Sequence, residues 1–319
     1  MAMNPVQFQQ GLSMAEFFQQ YGTQAQCEAA LEQSRWPNGF RCPACRCSLH
    51  TMFERGGRKH WQCRRCRHQA TVTSGTIFAD TKVPLTRWFL AMHLLTQAKN
   101  NVSALELKRH LGVSYPTAWR MKHKLMQVMA ERETGRQLQG RVEMDDAYLG
   151  GEHAAVAGQA GRGSPNKVPF VMAVSTTDDG RPHQVVIRCL PFTKQAVADW
   201  ANNALATETR VLSDGLPAFK VLRHEVAEHM PIVTGSGRRA AEHPELRNVN
   251  IMLGNLKTGL SGTYHAFKFA KYAHRYLADF QYRFNRRYNL RSVLPRLVRA
   301  AAVTQPWSES RLRAAEIQC

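Results

Sequence analysis

Apolar and polar positions follow a helical spacing in the first part of the chain and a mixed pattern in the second. Near the N-terminus, the apolar spacing predicts one amphipathic helix over residues 13–34, with Ser13 as its cap. Three more helical patterns cover residues 85–98, 103–111 and 115–130. These three patterns predict a small helical domain in the first half.

Strand-like patterns occupy the regions before and after those three helices. Residues 36–76 read as short strands and turns, a region too small to bury a core without help. Residues 150–169 are rich in Gly and Ala and are predicted to form a loop. Further along, the pattern predicts an α/β domain with strands at 141–149, 169–176, 184–190 and 209–213 and a helix near 194–206.

Four cysteines could provide the additional stabilisation that residues 36–76 need. Cys42 and Cys45 form one C-x2-C pair, Cys63 and Cys66 form a second, and seventeen residues separate the pairs. Two such turns present four thiolates tetrahedrally, which predicts a structural zinc ion with no open position for water. Redox-active thiols are the alternative, since basic neighbours also favour thiolate.

The charge of the chain indicates a polyanionic partner. Lys and Arg number 43 against 24 Asp and Glu, a formal net charge of +19, and residues 35–136 alone hold 19 basic and 5 acidic residues. This excess favours binding to the phosphates of double-stranded DNA. The segment MAMNPVQFQQ lacks the layout of a secretory signal, and no apolar run approaches membrane-spanning length. We therefore expect a cytoplasmic, nucleoid-associated protein with no membrane partner.

Two segments are candidates for contacting that DNA. In the helical domain, Thr117, Arg120 and Lys124 share one face, as in the second helix of a helix-turn-helix, although an ordinary helical hairpin has the same pattern. Residues 264–299 carry nine basic residues against Asp279 alone. There an aromatic stripe is predicted to pack inward while the opposite face meets phosphates, through basic residues that include Lys268, Lys271 and Arg275.

Polar residues at the ends of the predicted strands are candidates for catalysis. Asp145 and Asp214 each stand where an apolar run ends, which suggests metal-assisted chemistry, although Asp is also common in strand-end turns. By strand alternation, Asp146 should point to the opposite face from Asp145. Asn250 and Lys257 follow in NVNIMLGNLKTG, seven residues apart and so on one face of a helix.

These segments together resemble bacterial insertion-sequence transposases of the DDE superfamily, in the group with an N-terminal zinc ribbon and a ribonuclease H-like catalytic domain. The resemblance rests on WPNGFRCPAC with WQCRRC, VEMDDAYLGGE, VLSDG, GNLKTGLSGTYHAF and KYAHRYLADFQYRFNRRYNL. It implies a lead-in (1–35), a zinc ribbon (36–80), a helix-turn-helix domain (81–136), a ribonuclease H-like domain (137–300) and a tail (301–319).

The resemblance also implies a catalytic set of Asp145, Asp214, Asn250 and Lys257, with Asn where most of the superfamily has Glu. The first three would bind two Mg²⁺ or Mn²⁺ ions, and Asp146 or Asn255 remains an alternative ligand. Lys257 would hold the substrate phosphate as a point charge. Water would first free a 3′-hydroxyl at the element's end, and that hydroxyl would then attack target DNA.

The expected function is therefore a transposase that binds terminal inverted repeats, cleaves and joins DNA, and acts as a homo-oligomer. Two rival hypotheses stay open. The neutral Asn250 is compatible with a catalytically silent, domesticated DNA-binding protein. The second rival is a ribonuclease H-like nuclease that hydrolyses nucleic acid without joining strands. That hypothesis gives the two N-terminal recognition modules no clear role.

Overall fold

The computed structural model describes residues 6–150, 167–233, 243–264 and 268–314. Their helices are α1 (Met14–Tyr21), α2 (Gln24–Arg35), α3 (Leu85–Gln97), α4 (Ala104–Leu111), α5 (Tyr115–Glu133), α6 (Lys194–Ala204), α7 (Arg247–Ser261), α8 (Phe269–Asn285), α9 (Val293–Val303) and α10 (Glu309–Arg313). Their strands are β1 (His50–Arg55), β2 (Arg58–Cys63), β3 (Gln69–Ala70), β4 (Arg141–Leu149), β5 (Val168–Thr176), β6 (Pro182–Cys189), β7 (Arg210–Asp214) and β8 (Glu228–Ile232).

These elements form two compact units. Unit 1 is built from the described parts of residues 1–128 and 286–313, and unit 2 from the described parts of residues 129–285. The division differs from the domain boundaries expected from the sequence, which stay predictions. The predicted loop at 150–169 falls mostly outside the described residues.

Two short helices begin unit 1 where one was predicted. Ser13 caps α1 and Thr23 caps α2, each through the reciprocal side-chain and backbone hydrogen bonds of a capping box. The cap at Ser13 is thus confirmed, whereas the prediction of a continuous helix over 13–34 was wrong. Thr23 takes an extended backbone conformation, with ψ of 154°, so the chain leaves the first helix before it starts the second.

The three-helix pattern of unit 1 is observed as predicted. Ser103 caps α4 by accepting a hydrogen bond from the backbone N–H of Glu106. Gly112 ends α4 with a φ of 60°, a left-handed conformation that glycine adopts without steric cost. α9 packs against α2 and α3, and the fully buried side chains in these elements include Leu31, Phe89 and Leu297.

The ribbon of unit 1 is a small antiparallel sheet in the order β1-β2-β3. Its apolar interior is an aromatic cluster. The ring of Trp36 lies 4.9 Å from that of Phe40 and 4.9 Å from that of Trp61. All three side chains are buried. A core of so few apolar groups is too small to stabilise the sheet alone, so its stability depends on the cysteines.

Unit 2 is built on a five-stranded mixed sheet in the order β6-β5-β4-β7-β8. β4, β5 and β6 run antiparallel in a meander, while β7 lies parallel to β4 and β8 lies parallel to β7. The four predicted strands are observed, and β8 was missed. The β8 sequence EHMPI contains a proline and few apolar residues, so it carries no strand pattern.

Helices cover both faces of this sheet. On one face, Val142 and Met144 of β4 pack in a core with Val197 and Trp200 of α6. α7 packs on β4 and β5, and α8 packs on β6 and β5. Because residues alternate along a strand, Glu143 and Asp145 face away from the α6 core, and Glu143 contacts α7 directly.

Side chains of α8 form hydrogen bonds with the backbone of β6, one of the two outer strands of the sheet. The backbone N–H of Val185 donates to Asn285 Oδ1 at 2.8 Å, and Asn285 Nδ2 donates back to the Val185 carbonyl at 2.9 Å. The N–H of Ile187 donates to Gln281 Oε1 at 2.9 Å. The side-chain amides of Gln281 and Asn285 also donate to the buried carboxylate of Glu133, which fixes their orientation.

Candidate active site and metal centre

The four predicted cysteines lie together, on two turns with the same backbone geometry. In the first turn, the N–H of Arg46 donates to the Cys42 carbonyl at 2.8 Å; in the second, the N–H of Arg67 donates to the Cys63 carbonyl at 3.0 Å. Arg46 and Arg67 adopt φ values of 60° and 61°. This left-handed residue turns each pair of thiols toward the same point.

The four sulfur atoms are spaced for a tetrahedral ion. All lie within 4.8 Å of one another, and the Cys42–Cys66 and Cys45–Cys63 Sγ pairs are 3.5 Å apart. Zinc–thiolate bonds of about 2.3 Å give sulfur–sulfur edges of about 3.8 Å, so the arrangement fits a zinc ion with little adjustment.

Three carboxylates meet where β4 and β7 run side by side in unit 2. The parallel register pairs Met144 with Ser213, so the next residues, Asp145 and Asp214, are neighbours on adjacent strands. Asp145, Asp146 and Asp214 offer oxygens that all lie within 4.8 Å of one another. The structure therefore brings the two predicted aspartates together.

Asp146 also belongs to this group through its carboxylate, although it follows Asp145 directly on a strand whose side chains alternate between the two faces. β7 ends at Asp214, and the parallel pairing of β4 with β7 stops at Met144. Beyond that point no β7 residue pairs with β4, so the carboxylate oxygens of Asp146 can approach those of Asp145 and Asp214 past the end of β7. Asp145 Oδ1 also accepts a hydrogen bond of 2.8 Å from the Asp146 N–H.

The electrostatics of the cluster suit a cation. Burial, followed by the nearby negative charges of Asp214 and Asp146, raises the pKa of Asp145 to about 7. The N–H of Asp146 and the charge of Lys257 act in the opposite direction. Lys257 is thus close enough to Asp145 to lower its pKa. Crowded carboxylates of this kind are stabilised by a bound divalent cation.

The other predicted site residues lie on α7. Asn250 is half-buried near the start of this helix, and Lys257 and Asn255 are exposed further along it. The helix begins against β4, where the Glu143 carboxylate accepts hydrogen bonds from the N–H groups of Asn248 and Val249 at 2.7 and 3.1 Å.

Sequence reasoning missed two polar residues beside the carboxylates. Glu143 is fully buried, two residues before Asp145; an acidic residue inside an apolar strand was the available signal. His229 of β8 forms a 2.8 Å hydrogen bond with Ser213, the residue before Asp214, and burial lowers its pKa. Because β8 had no strand pattern, nothing in the sequence pointed to His229.

The predicted DNA-contacting residues of α5 are engaged within unit 1. Lys124 Nζ donates to the Ile77 carbonyl at 2.8 Å, and burial lowers its pKa. Arg120 lies 3.4 Å from Glu309, while Thr117 shares a 2.9 Å hydrogen bond with the Ser114 hydroxyl. Arg120 and Thr117 sit on surface contacts that DNA could replace, whereas Lys124 is held more firmly.

The three basic residues predicted on α8 and just before it differ in exposure. Lys268 is exposed and Lys271 is half-buried. Arg275 is only 1% exposed, and burial lowers its pKa to about 10. The expected division of α8 into an aromatic inner face and a basic outer face therefore fails at Arg275, which lies inside.

Comparison with known proteins defines the class of these units. Residues 137–285 match the family model described as the ISXO2-like transposase domain, and residues 22–69 match the transposase zinc-ribbon domain. The resemblance to zinc-ribbon insertion-sequence transposases is thereby confirmed by the matches to both family models. In the part of the chain that is described, no helix has the length and hydropathy to cross a membrane.

One relative is a protein of a transposable element. The uncharacterized protein in transposable element ISH50 of Halobacterium salinarum is 31% identical over 122 residues. That alignment covers 37% of this chain and 40% of the relative, so it spans less than half of the relative's length.

Proposed function

We propose that the chain is the transposase of an insertion sequence, which binds the terminal inverted repeats of its element and performs metal-dependent cleavage and strand transfer. The observation that carries the proposal is the meeting of Asp145 and Asp146 of β4 with Asp214, where β7 ends, within the segment that matches a transposase domain. Two carboxylates on adjacent parallel strands are a suitable platform for phosphoryl transfer.

The sheet supports a ribonuclease H-like catalytic domain. Three antiparallel strands in a meander, followed by two strands parallel to the first, form the order expected for that fold. Asp145 lies on the first strand of this sheet in chain order and Asp214 on the fourth.

The residues fit the divalent metal that such a domain uses. Three carboxylates offer oxygens within 4.8 Å, and oxygen is the ligand that Mg²⁺ and Mn²⁺ prefer. Bound metal would activate the attacking oxygen and stabilise the leaving oxygen of the phosphodiester. We propose Asp145 and Asp214 as the principal ligands. Asn250 and Asp146 are proposed to complete the set, with Asp146 restoring the negative charge that an Asn in place of Glu removes.

The chain's own groups would bind and orient DNA around that centre. Lys257, exposed on α7 and near Asp145, would hold the substrate phosphate, which requires no proton transfer. The basic ribbon and the helix-turn-helix pair α4 and α5 would recognise the terminal repeat, with Thr117 and Arg120 toward the major groove. A homo-oligomer acting on paired ends in the cytoplasm belongs to the same proposal.

A gel assay with DNA from the element's own end tests this proposal. Purified protein is incubated with a labelled duplex ending in the terminal repeat, with and without Mg²⁺, and the products are separated under denaturing conditions. We expect cleavage at the repeat boundary and joined products longer than the input, both abolished by Asp214→Asn, with DNA binding retained. Specific binding without breakage would favour the silent DNA-binding protein, and shortened products alone would favour a nuclease.

A further inference from the structure

Glu143 connects the strand that bears Asp145 to the helix that bears Asn250 and Lys257. Its side chain is fully buried, yet it carries a carboxylate with three short hydrogen bonds. One oxygen accepts from the backbone N–H groups of Asn248 and Val249 at 2.7 and 3.1 Å, and the other accepts from Asn248 Nδ2 at 2.7 Å.

Those backbone donors belong to the first turn of α7, which has no cap of its own. The residue before the helix is Leu246, whose side chain cannot accept a hydrogen bond. Glu143 therefore supplies the cap from a different element, and its negative charge also faces the positive end of the helix dipole. The Arg141 guanidinium, 3.6 Å away, balances the charge from the other side.

The same strand thus fixes both halves of the candidate active site. Glu143 and Asp145 are two residues apart on one face of β4, about 7 Å along the strand. Asn250 directly follows the capped residues, and Lys257 lies about 10 Å further along the helix axis. A shift at the start of α7 would move both side chains relative to Asp145.

We infer that Glu143 is a positioning residue, which holds the start of α7 against β4 so that Asn250 and Lys257 face the carboxylates. The inference rests on the function proposed above for those residues. Glu143 itself contacts neither DNA nor metal in this role; it acts through the helix. The buried carboxylate makes the contact specific, because its bonds require one register of α7 on the strand.

Glu143→Gln tests the inference with almost no change in volume. The amide oxygen of Gln can still accept from the two backbone N–H groups, but its NH₂ group then meets Asn248 Nδ2, another donor. Turning the Asn248 amide over does not help, because Nδ2 also donates to the Gly180 carbonyl at 3.2 Å. Asn248→Ala is a second, milder variant, which keeps both backbone bonds.

Glu245→Gln is the matched control. Glu245 lies in the turn just before α7, is exposed, and pairs with the same Arg141 at 2.8 Å. The substitution removes one acidic charge from the same end of the helix and leaves the buried hydrogen bonds of Glu143 unchanged. Neither hydrogen exchange nor activity should change in this variant.

Two measurements on the full-length protein decide the matter. Hydrogen exchange read by mass spectrometry should show the first-turn amides of α7 exchanging about tenfold faster in Glu143→Gln, with other segments of unit 2 unchanged. Strand cleavage at saturating terminal-repeat DNA should slow by about ten- to a hundredfold, while the affinity for that DNA stays the same. Asn248→Ala should show smaller changes in the same direction.

Different failures have different readings. Unchanged exchange in α7 and an unchanged cleavage rate in Glu143→Gln overturn the inference. Faster exchange across all of unit 2 with a lower melting temperature also overturns it, because Glu143 would then be a general stability residue. If the wild-type protein never cleaves DNA, the proposed function and the catalytic consequence fail, while exchange still reports whether Glu143 holds the helix.

Discussion

Asp145 should limit the stability of the metal-free protein, and Asp145→Asn tests this directly. The substitution keeps the size of the side chain and leaves an oxygen to accept the hydrogen bond from the Asp146 N–H. It removes only the ionisable group. We expect the variant to be more stable than the wild type at pH 8 in the absence of Mg²⁺, although it should be inactive.

The magnitude follows from the shift in pKa. Burial, then the charges of Asp214 and Asp146, raise the pKa of Asp145 from 3.8 to about 7. A shift of about 3 units, at 1.36 kcal/mol each, sets an upper bound of about 4 kcal/mol on the cost of the ionised carboxylate. Because solvent screens part of the charge and the site relaxes around it, we expect Asp145→Asn to raise the free energy of unfolding by about 1–3 kcal/mol.

The sign of the pH dependence is also determined. Between pH 4 and pH 7 the folded protein holds the Asp145 proton and the unfolded chain does not, so this residue's contribution to stability falls as pH rises through that window. The full cost is present at pH 8. At pH 5 it shrinks to less than half, and the advantage of Asp145→Asn over the wild type should shrink with it.

Scanning calorimetry of both proteins at pH 8 and pH 5 measures the effect. Strong chelators are avoided, because they would also remove the zinc of the ribbon. Mg²⁺ should then raise the melting temperature of the wild type more than that of Asp145→Asn. The matched control is Asp179→Asn, an exposed carboxylate whose pKa is lowered by the Thr177 hydroxyl and whose removal should give no gain. An Asp145→Asn protein that is no more stable than the wild type at pH 8 would refute the reasoning.

Other predictions address the remaining parts of the chain. Cys63→Ser should lose the bound zinc, measured by atomic absorption, whereas Cys47→Ser should keep it, since Cys47 lies outside the four-thiol group. Lys268→Ala should reduce the salt dependence of DNA binding by about one unit of slope, and an unchanged slope would remove it from the interface. Arg275→Met should instead alter the melting temperature, as expected for a buried side chain. Thr23→Ala should cost about 1 kcal/mol of unfolding free energy through loss of a helix cap.

Where the sequence pattern was strong, it predicted structure well. β5 is a long apolar run and β4 mixes apolar with charged residues, and both lie within one residue of their predicted bounds. The paired C-x2-C turns likewise predicted the thiol cluster, because their local geometry depends on few residues. Asp214 was found because it ends an apolar strand, and Asp145 because it interrupts the apolar positions of one.

Where the outcome depended on packing between distant segments, the sequence pattern did not suffice. The role of Glu143 depends on a helix about a hundred residues later, so nothing near it in the chain indicates a cap. Arg275 occupies a helical position that looked outward by charge, and tertiary packing buries it. The approach of Asp146 to Asp145 was not foreseen, because strand alternation fixes the direction of Cβ, whereas a carboxylate oxygen can reach beyond the point where β7 ends.

The two amides that α8 presents to β6 have a consequence for how the protein behaves at high concentration. An outer strand normally leaves a row of N–H and C=O groups on which a strand from another molecule can add. Asn285 already occupies the N–H and C=O groups of Val185, Gln281 occupies the N–H of Ile187, and Glu133 keeps both amides in place. The helix thus blocks pairing of this edge strand with a strand of another molecule. A chain with Gln281 and Asn285 both replaced by leucine would leave these backbone groups unpaired and should aggregate more readily.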